Sequence, residues 1–194
     1  EVLTLMEENP VDASILTQLA TKFYFLSGLR VSACVSLKWE WYDSKDNVWR
    51  LPPETRGLKR KKDEGQTHLI PVSSGMKTLM NQLLEINGNS EYVFDSPEGK
   101  KYPHLNPETI NSYLKKLLGQ GRLTAHGWRD VIVTSGQEVG KFQRDIILRQ
   151  IGHTEHKQGA SGCYDNTEFI DERRKFMNLW SSELVKQGMN VCCL

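Results

Sequence analysis

The stretch Ile15 to Pro52, ILTQLATKFYFLSGLRVSACVSLKWEWYDSKDNVWRLP, changes its hydrophobic period partway along, and that change decides the fold. Its first part sets Leu16, Leu19, Ala20, Phe23 and Leu26 at helical spacing over Ile15 to Ser27, and Gly28 supplies the stop. A second, short helix is expected over Val31 to Leu37. Beyond it the pattern turns extended. Trp39 to Tyr42 and Val48 to Pro52 read as strands joined by the turn Asp43 to Asn47, with Trp39 and Trp41 alternating around Glu40. Thr67 to Val72 reads as a third strand, reached through the turn Lys61-Lys62-Asp63-Glu64-Gly65. The result is a three-stranded antiparallel meander whose second hairpin is basic.

Helical spacing returns at Ser74, where Met76, Leu79, Met80, Leu83 and Leu84 share a face between a Ser73 or Ser74 cap and Gly88. Tyr92 to Phe94 is a short extended piece ahead of a loop over Asp95 to Leu105. Asn106 then caps a helix that Pro107 opens and that runs through Ile110, Tyr113, Leu114 and Leu117 to Gly119. Three more helices are expected at about Gly127 to Glu138, Gln143 to Ile151 and Asp165 to Lys186. Helices, then a small sheet, then many helices predict a single α+β, mainly helical domain over residues 1–194, not a doubly wound one.

Composition agrees with a packed domain. Among 194 residues, 38% are hydrophobic and 25% charged, and the mean hydropathy is -0.51, which excludes a disordered tail or a collagen-like chain. No apolar run approaches the roughly 18 residues of a membrane span, and no basic-then-apolar leader precedes the first helix. Cys34, Cys163, Cys192 and Cys193 form no CxxC pair, so neither a zinc site nor a disulfide scaffold is expected, and a reducing cytoplasm suits the chain. The formal net charge of +1 says nothing for or against nucleic acid; the placement of the 25 basic residues has to decide.

Four dispersed features carry that placement. Arg30 follows Gly28 at the exit of an apolar helix; Arg56, Lys59, Arg60, Lys61 and Lys62 crowd the second hairpin, a cationic finger suited to DNA. His126 and Arg129, three apart, share a face if helical, so an imidazole and a guanidinium can meet one anion. Gly152-His153 precedes Tyr164 by eleven residues, just ahead of the final helix. Each feature has a bland reading: a solvated helix flank for Arg30, a lysine-guarded strand edge for the hairpin, a helix-flank aromatic for Tyr164. Trp128 and Trp180 read as core, and Arg173 and Arg174 beside Glu172 as a solvated face with intrahelical pairs. Together, however, two arginines, a lysine, two histidines and a tyrosine are the groups needed to break a phosphodiester by nucleophilic attack without metal.

The chain resembles the catalytic domain of a tyrosine recombinase of the phage or genomic-island integrase kind. SGLRVSACVSLKWEWYD resembles the family's first arginine box, HGWRDVIVTSG its His-x-x-Arg box, ILRQIGHTEH its glycine–histidine box, and YDNTEFIDERRKFMNLWSSEL its nucleophile segment and last helix. The resemblance implies that Arg30 and Arg129 clamp the scissile phosphate, that His126 is an acid/base or phosphate donor, and that His153 is a second hydrogen-bond donor to the phosphate. Tyr164 would form a 3′-phosphotyrosyl link, and Lys62 would protonate the leaving oxygen, with Lys59 and Lys61 as alternatives. It also implies no metal, ATP or other cofactor, double-stranded DNA at a specific attachment site as partner, and a homotetramer on DNA from a protein monomeric in isolation.

Two departures stand out. Ala33 replaces a glutamate the family often carries three positions after the first arginine, so Arg30 needs other contacts to orient it. The His153-to-Tyr164 loop, with Gly159, Ala160, Ser161 and Gly162, is longer than usual and expected to be mobile, and His156 is a weaker rival to His153. The chain is expected to be a C-terminal catalytic piece, without the core- and arm-site DNA-binding domains of the family. A decayed DNA-binding relative and a type IB topoisomerase are the competing readings.

Overall fold

A computed structural model describes residues 1–58, 67–96, 101–153 and 169–192. The helices are α1 (Val2–Glu8), α2 (Ile15–Ser27), α3 (Val31–Val35), α4 (Ser74–Asn87), α5 (Glu108–Leu118), α6 (Ala125–Glu138), α7 (Arg144–Gln150) and α8 (Ile170–Lys186). Between α3 and α4 run a 3-10 turn, Trp39–Trp41, and the strands β1 (Tyr42–Asp43), β2 (Val48–Leu51) and β3 (His68–Pro71). The strands form one antiparallel sheet in the order β1-β2-β3, with Tyr42 opposite Trp49 and Trp49 opposite Ile70. The expected architecture, mainly helical α+β with a small three-stranded sheet, is the observed one.

Helix α2 is the axle. Ser14 accepts the Thr17 amide at its start, and Gly28 ends it at φ 67, a left-handed turn that costs glycine little. Every residue from Thr17 to Ser27 is buried, because α4, α5 and α8 pack around it. Its polar positions are accommodated rather than solvated: the buried Lys22 ammonium pairs with Glu7 of α1 at 2.8 Å and donates to the Asn190 carbonyl at 2.9 Å. Those two interactions tie α1 and the segment after α8 to the core. Helix α1, which the periodicity did not mark, buries Leu3 and Met6.

Two expected boundaries are corrected. Trp39 to Trp41 is not a strand: the Trp39 amide bonds the Glu91 carbonyl, its indole donates to Asn87 O at 3.0 Å, and the Trp41 amide returns to Lys38. The segment is thus held by residues some fifty positions downstream, and β1 shrinks to two residues. At the other end α8 starts at Ile170, after Phe169 at a left-handed φ of 45; Asp165, where the sequence puts the start, lies outside the described residues.

Trp128 and Trp180 are core, as read. Trp128 stacks on Phe25 at 3.7 Å, and both indoles donate to the one Phe25 carbonyl, at 3.1 and 2.9 Å. Trp128→Ala is therefore expected to lose about 3–5 kcal/mol of stability, the usual loss for a buried aromatic. Urea unfolding measures it; a loss under about 1 kcal/mol would mean that the helix α2–α6 contact is not a stability determinant. Among the described residues no helix is long and apolar enough to cross a membrane.

Candidate phosphate-binding active site

The left-handed turn at Gly28 swings the chain out of α2 and delivers Arg30 in an extended conformation at the start of α3. Its Nη1 donates to the Gly57 carbonyl at 2.9 Å and to the Gly152 carbonyl at 3.2 Å. Arg129 projects from the second turn of α6 and is buried; its Nη1 donates to Gly28 O and its Nη2 to Ile151 O, both at 2.8 Å. The two arginines therefore interlock with the same two segments, 28–30 and 151–152. A Cβ on Gly28 would come within 3.1 Å of Ile132 and 3.2 Å of Ile151, so glycine, at its left-handed φ of 67, eases the close approach that lets Arg129 bridge those segments.

This arrangement answers the Ala33 departure. Ala33 is buried, and backbone carbonyls from two loops orient Arg30 instead of a carboxylate. The difference matters electrostatically. Neither Arg30 nor Arg129 forms an ion pair among the described residues. Burial, and then repulsion from Arg30, pull the Arg129 guanidinium down to about 10, and burial lowers Arg30 as well. Both remain cationic at neutral pH, yet each is held in a place that disfavours its charge. An oxyanion meeting their remaining N–H groups relieves both penalties at once.

The histidines flank this pair. His126 is exposed one helical turn before Arg129, and His153 is exposed directly after Gly152, its amide bonded to Leu148 O at 2.9 Å. Arg56 is exposed beside Gly57, the residue whose carbonyl holds Arg30, and its guanidinium lies 5.5 Å from the Tyr102 ring centroid. Lys101 lies over the same ring at 5.4 Å, and the Arg56 hydrogen bond, then the Lys101 charge, lower the Tyr102 hydroxyl. Lys59, Arg60, Lys61, Lys62, His156 and Tyr164 lie outside the described residues, as does the loop that links His153 to Tyr164. Among the described residues no cluster of His, Cys, Asp and Glu could hold a metal ion.

One sequence reading is overturned here. Arg173 and Arg174 are not a solvated face with intrahelical pairs. Arg173 is fully buried, donating from Nε to Gln150 Oε1 at 3.1 Å and from Nη2 to the Leu69 carbonyl of β3. Arg174 donates to the carbonyls of Asp46 and Asn47, at 3.0 and 3.3 Å, and so fastens α8 to the β1–β2 turn. Arg173 shares helical spacing with Phe176 and Trp180, so a cation on the apolar stripe was the available signal. Gln150 had none, since nothing local distinguishes a buried glutamine at a helix end.

A mainly helical α+β domain that anchors two arginines on the backbone carbonyls of Gly28, Gly57, Ile151 and Gly152 is the class of protein this geometry defines. The chain belongs to the phage integrase family, the tyrosine recombinases, whose family model matches residues 1–157. It is similar to the integrase of Enterobacteria phage P4, 28% identical over 183 residues, covering 88% of this chain and 40% of that protein. It is also similar to the prophage integrase IntA of Escherichia coli K12, 26% identical over 173 residues, covering 89% of this chain and 40% of that one. The integrase of Shigella phage Sf6 is 26% identical over 172 residues, covering 88% of this chain and 42% of that protein. The chain thus spans about two-fifths of the length of these curated relatives. Its fold resembles that of lambda integrase, solved as a tetramer bound to a Holliday junction. The TM-score is 0.58 at 16% identity, over 81% of this chain and 46% of the other.

Proposed function

We propose that the chain is the catalytic part of a site-specific DNA integrase that cuts and reseals strands through a covalent tyrosyl intermediate. The observation that carries this reading is the interlock of Arg30 and Arg129 on the carbonyls of Gly28, Gly57, Ile151 and Gly152. Two preorganised guanidiniums facing one site suit the negative charge that builds on the non-bridging oxygens during attack at phosphorus. Tyr164 gives its hydroxyl proton to a base, with His126 the acid/base candidate, and attacks that phosphorus, forming a Tyr–O–P bond to the 3′ end. The P–O bond to the 5′ oxygen breaks, and Lys62, or Lys59 or Lys61, returns a proton to that oxygen. His126 and His153 hold the phosphate oxygens or move protons near neutral pH. The phosphotyrosyl ester conserves the bond, so resealing needs neither ATP nor metal.

The partner is double-stranded DNA at an attachment site of the element that encodes the chain, in the bacterial cytoplasm. By analogy with the lambda integrase tetramer, the working assembly is four protomers on two duplexes, from a protein that is monomeric alone. The segments that the relatives carry and this chain does not span would supply further DNA contacts.

A duplex bearing the attachment-site sequence and a nick beside the cleavage point tests the reading. Covalent protein–DNA adduct should accumulate, and should do so equally in a strong chelator. No adduct would favour a decayed DNA-binding relative; adduct only with metal would point to a metal nuclease; relaxation of supercoiled plasmid without recombination would point to a topoisomerase.

Arg56 and Lys101, gathered on Tyr102, offer two exposed cations for backbone phosphates next to the cleaved one. Arg56→Ala and Lys101→Ala should each weaken DNA binding regardless of sequence, and each should flatten the plot of log K against log salt by about one unit of slope. An unchanged slope would remove that residue from the DNA interface.

A further inference from the structure

Beneath the arginine pair lies a second, wholly buried layer of hydrogen-bonded side chains. Gln150 ends α7 and is fully buried; its Nε2 donates to the Ser27 carbonyl at 3.1 Å, and its Oε1 accepts from Arg173 Nε at 3.1 Å. Ser27 immediately precedes Gly28, and Gln150 immediately precedes Ile151. These are the two residues whose carbonyls hold the two ends of the Arg129 fork. Gln150 thus clasps at positions 27 and 150 the same two segments that Arg129 clasps at 28 and 151. Arg173 extends the clasp, since its Nη2 reaches the Leu69 carbonyl and so ties in β3, the strand that follows the basic hairpin.

The layering has a mechanical consequence. Arg129 can be aimed no better than the two carbonyls that hold it, and those carbonyls cap the ends of α2 and α7, which Gln150 joins from within while Arg30 bridges to Gly152 beside them. An apolar side chain of the same volume at 150 would fill the space without setting the spacing between Gly28 O and Ile151 O. A displacement of about 1 Å at such a site is enough to slow a reaction severely.

We infer that Gln150 and Arg173 are positioning residues, holding the carbonyls of Gly28 and Ile151 at the separation that directs the free N–H groups of Arg129 onto the scissile phosphate. This inference rests on the function proposed above. A merely structural pair would lower stability and leave the chemistry of folded molecules untouched.

The test uses the intact protein with Gln150→Met, which keeps volume but loses both bonds, and Gln150→Glu. The glutamate still accepts from Arg173 but cannot donate to Ser27 O, so it tests the clasp even where the methionine variant fails to fold. Single-turnover cleavage of the nicked duplex is measured below each variant's unfolding temperature, with an ordinary scissile phosphate and with a neutral methylphosphonate. Cleavage of the ordinary phosphate should slow at least tenfold while DNA affinity stays within twofold. The methylphosphonate, with no charge for Arg129 to meet, should shrink the defect to less than threefold. Cleavage within twofold of the unaltered protein, or an equal defect on both substrates, overturns the inference. Should the unaltered protein form no adduct, the proposed function fails instead. The positioning role is then judged by inorganic phosphate binding, read on the arginine side-chain NMR signals. A tenfold weaker affinity in Gln150→Glu sustains the role, and an unchanged one overturns it.

Discussion

Arg129→Ala should slow strand cleavage by about a hundredfold or more, the scale for removing a preorganised donor from a developing transition-state charge. Arg129 is buried and spends two of its N–H groups on Gly28 and Ile151; in the proposed mechanism the others meet the phosphate. Alanine removes the cation and strands two carbonyls in the interior, so a loss of stability accompanies the loss of rate. Arg129→Lys separates the two effects. Lysine restores a charge but offers a compact ammonium in place of a planar fork, so it cannot brace two loops and grip two oxygens together. It should recover part of the rate and remain at least tenfold slow. Single-turnover cleavage at a temperature where all three proteins are folded makes the comparison; near-normal cleavage by Arg129→Ala would remove the arginine clamp from the mechanism.

Tyr164→Phe should abolish the covalent adduct altogether while leaving DNA affinity within about twofold, because it deletes one oxygen and no charge. An ordinary phenol has a pKa near 10 and attacks poorly at neutral pH, so the reaction depends on cationic surroundings that favour its ionised form. The other tyrosines sharpen the test. Burial pushes the hydroxyls of Tyr24 and Tyr113 up, and Tyr24 already donates to the Ala125 carbonyl, so neither is suited to attack. Tyr102 is different: Arg56 and Lys101 lower its hydroxyl and its ring is only half-buried. Tyr102→Phe is accordingly the control, expected to keep the adduct. Adduct formed by Tyr164→Phe and lost in Tyr102→Phe would reassign the nucleophile.

Where sequence reading succeeded, the governing interactions were local. Helix α2 has the expected bounds because its period, the Ser14 cap and the Gly28 stop all lie within one segment. The order of the helices and strands from α2 onward followed from similar short-range patterns. It failed where the decisive partner was remote. Trp39 to Trp41 has the alternation of a strand, but the Glu91 carbonyl and the Asn87 carbonyl draw it into a tight turn instead. Arg173 has the charge of a surface residue, but Gln150 and Leu69 supply acceptors in the interior that make its burial tolerable.

The amino-acid order by itself determined the secondary-structure plan and the residue types available for phosphodiester chemistry, since periodicity, caps and boxes are read within a few residues. Tertiary structure alone decided which backbone carbonyls aim Arg30 and Arg129, and that a glutamine and a second buried arginine stand behind them. A carbonyl is present at every position of any sequence; only folding selects the four that converge on two guanidiniums.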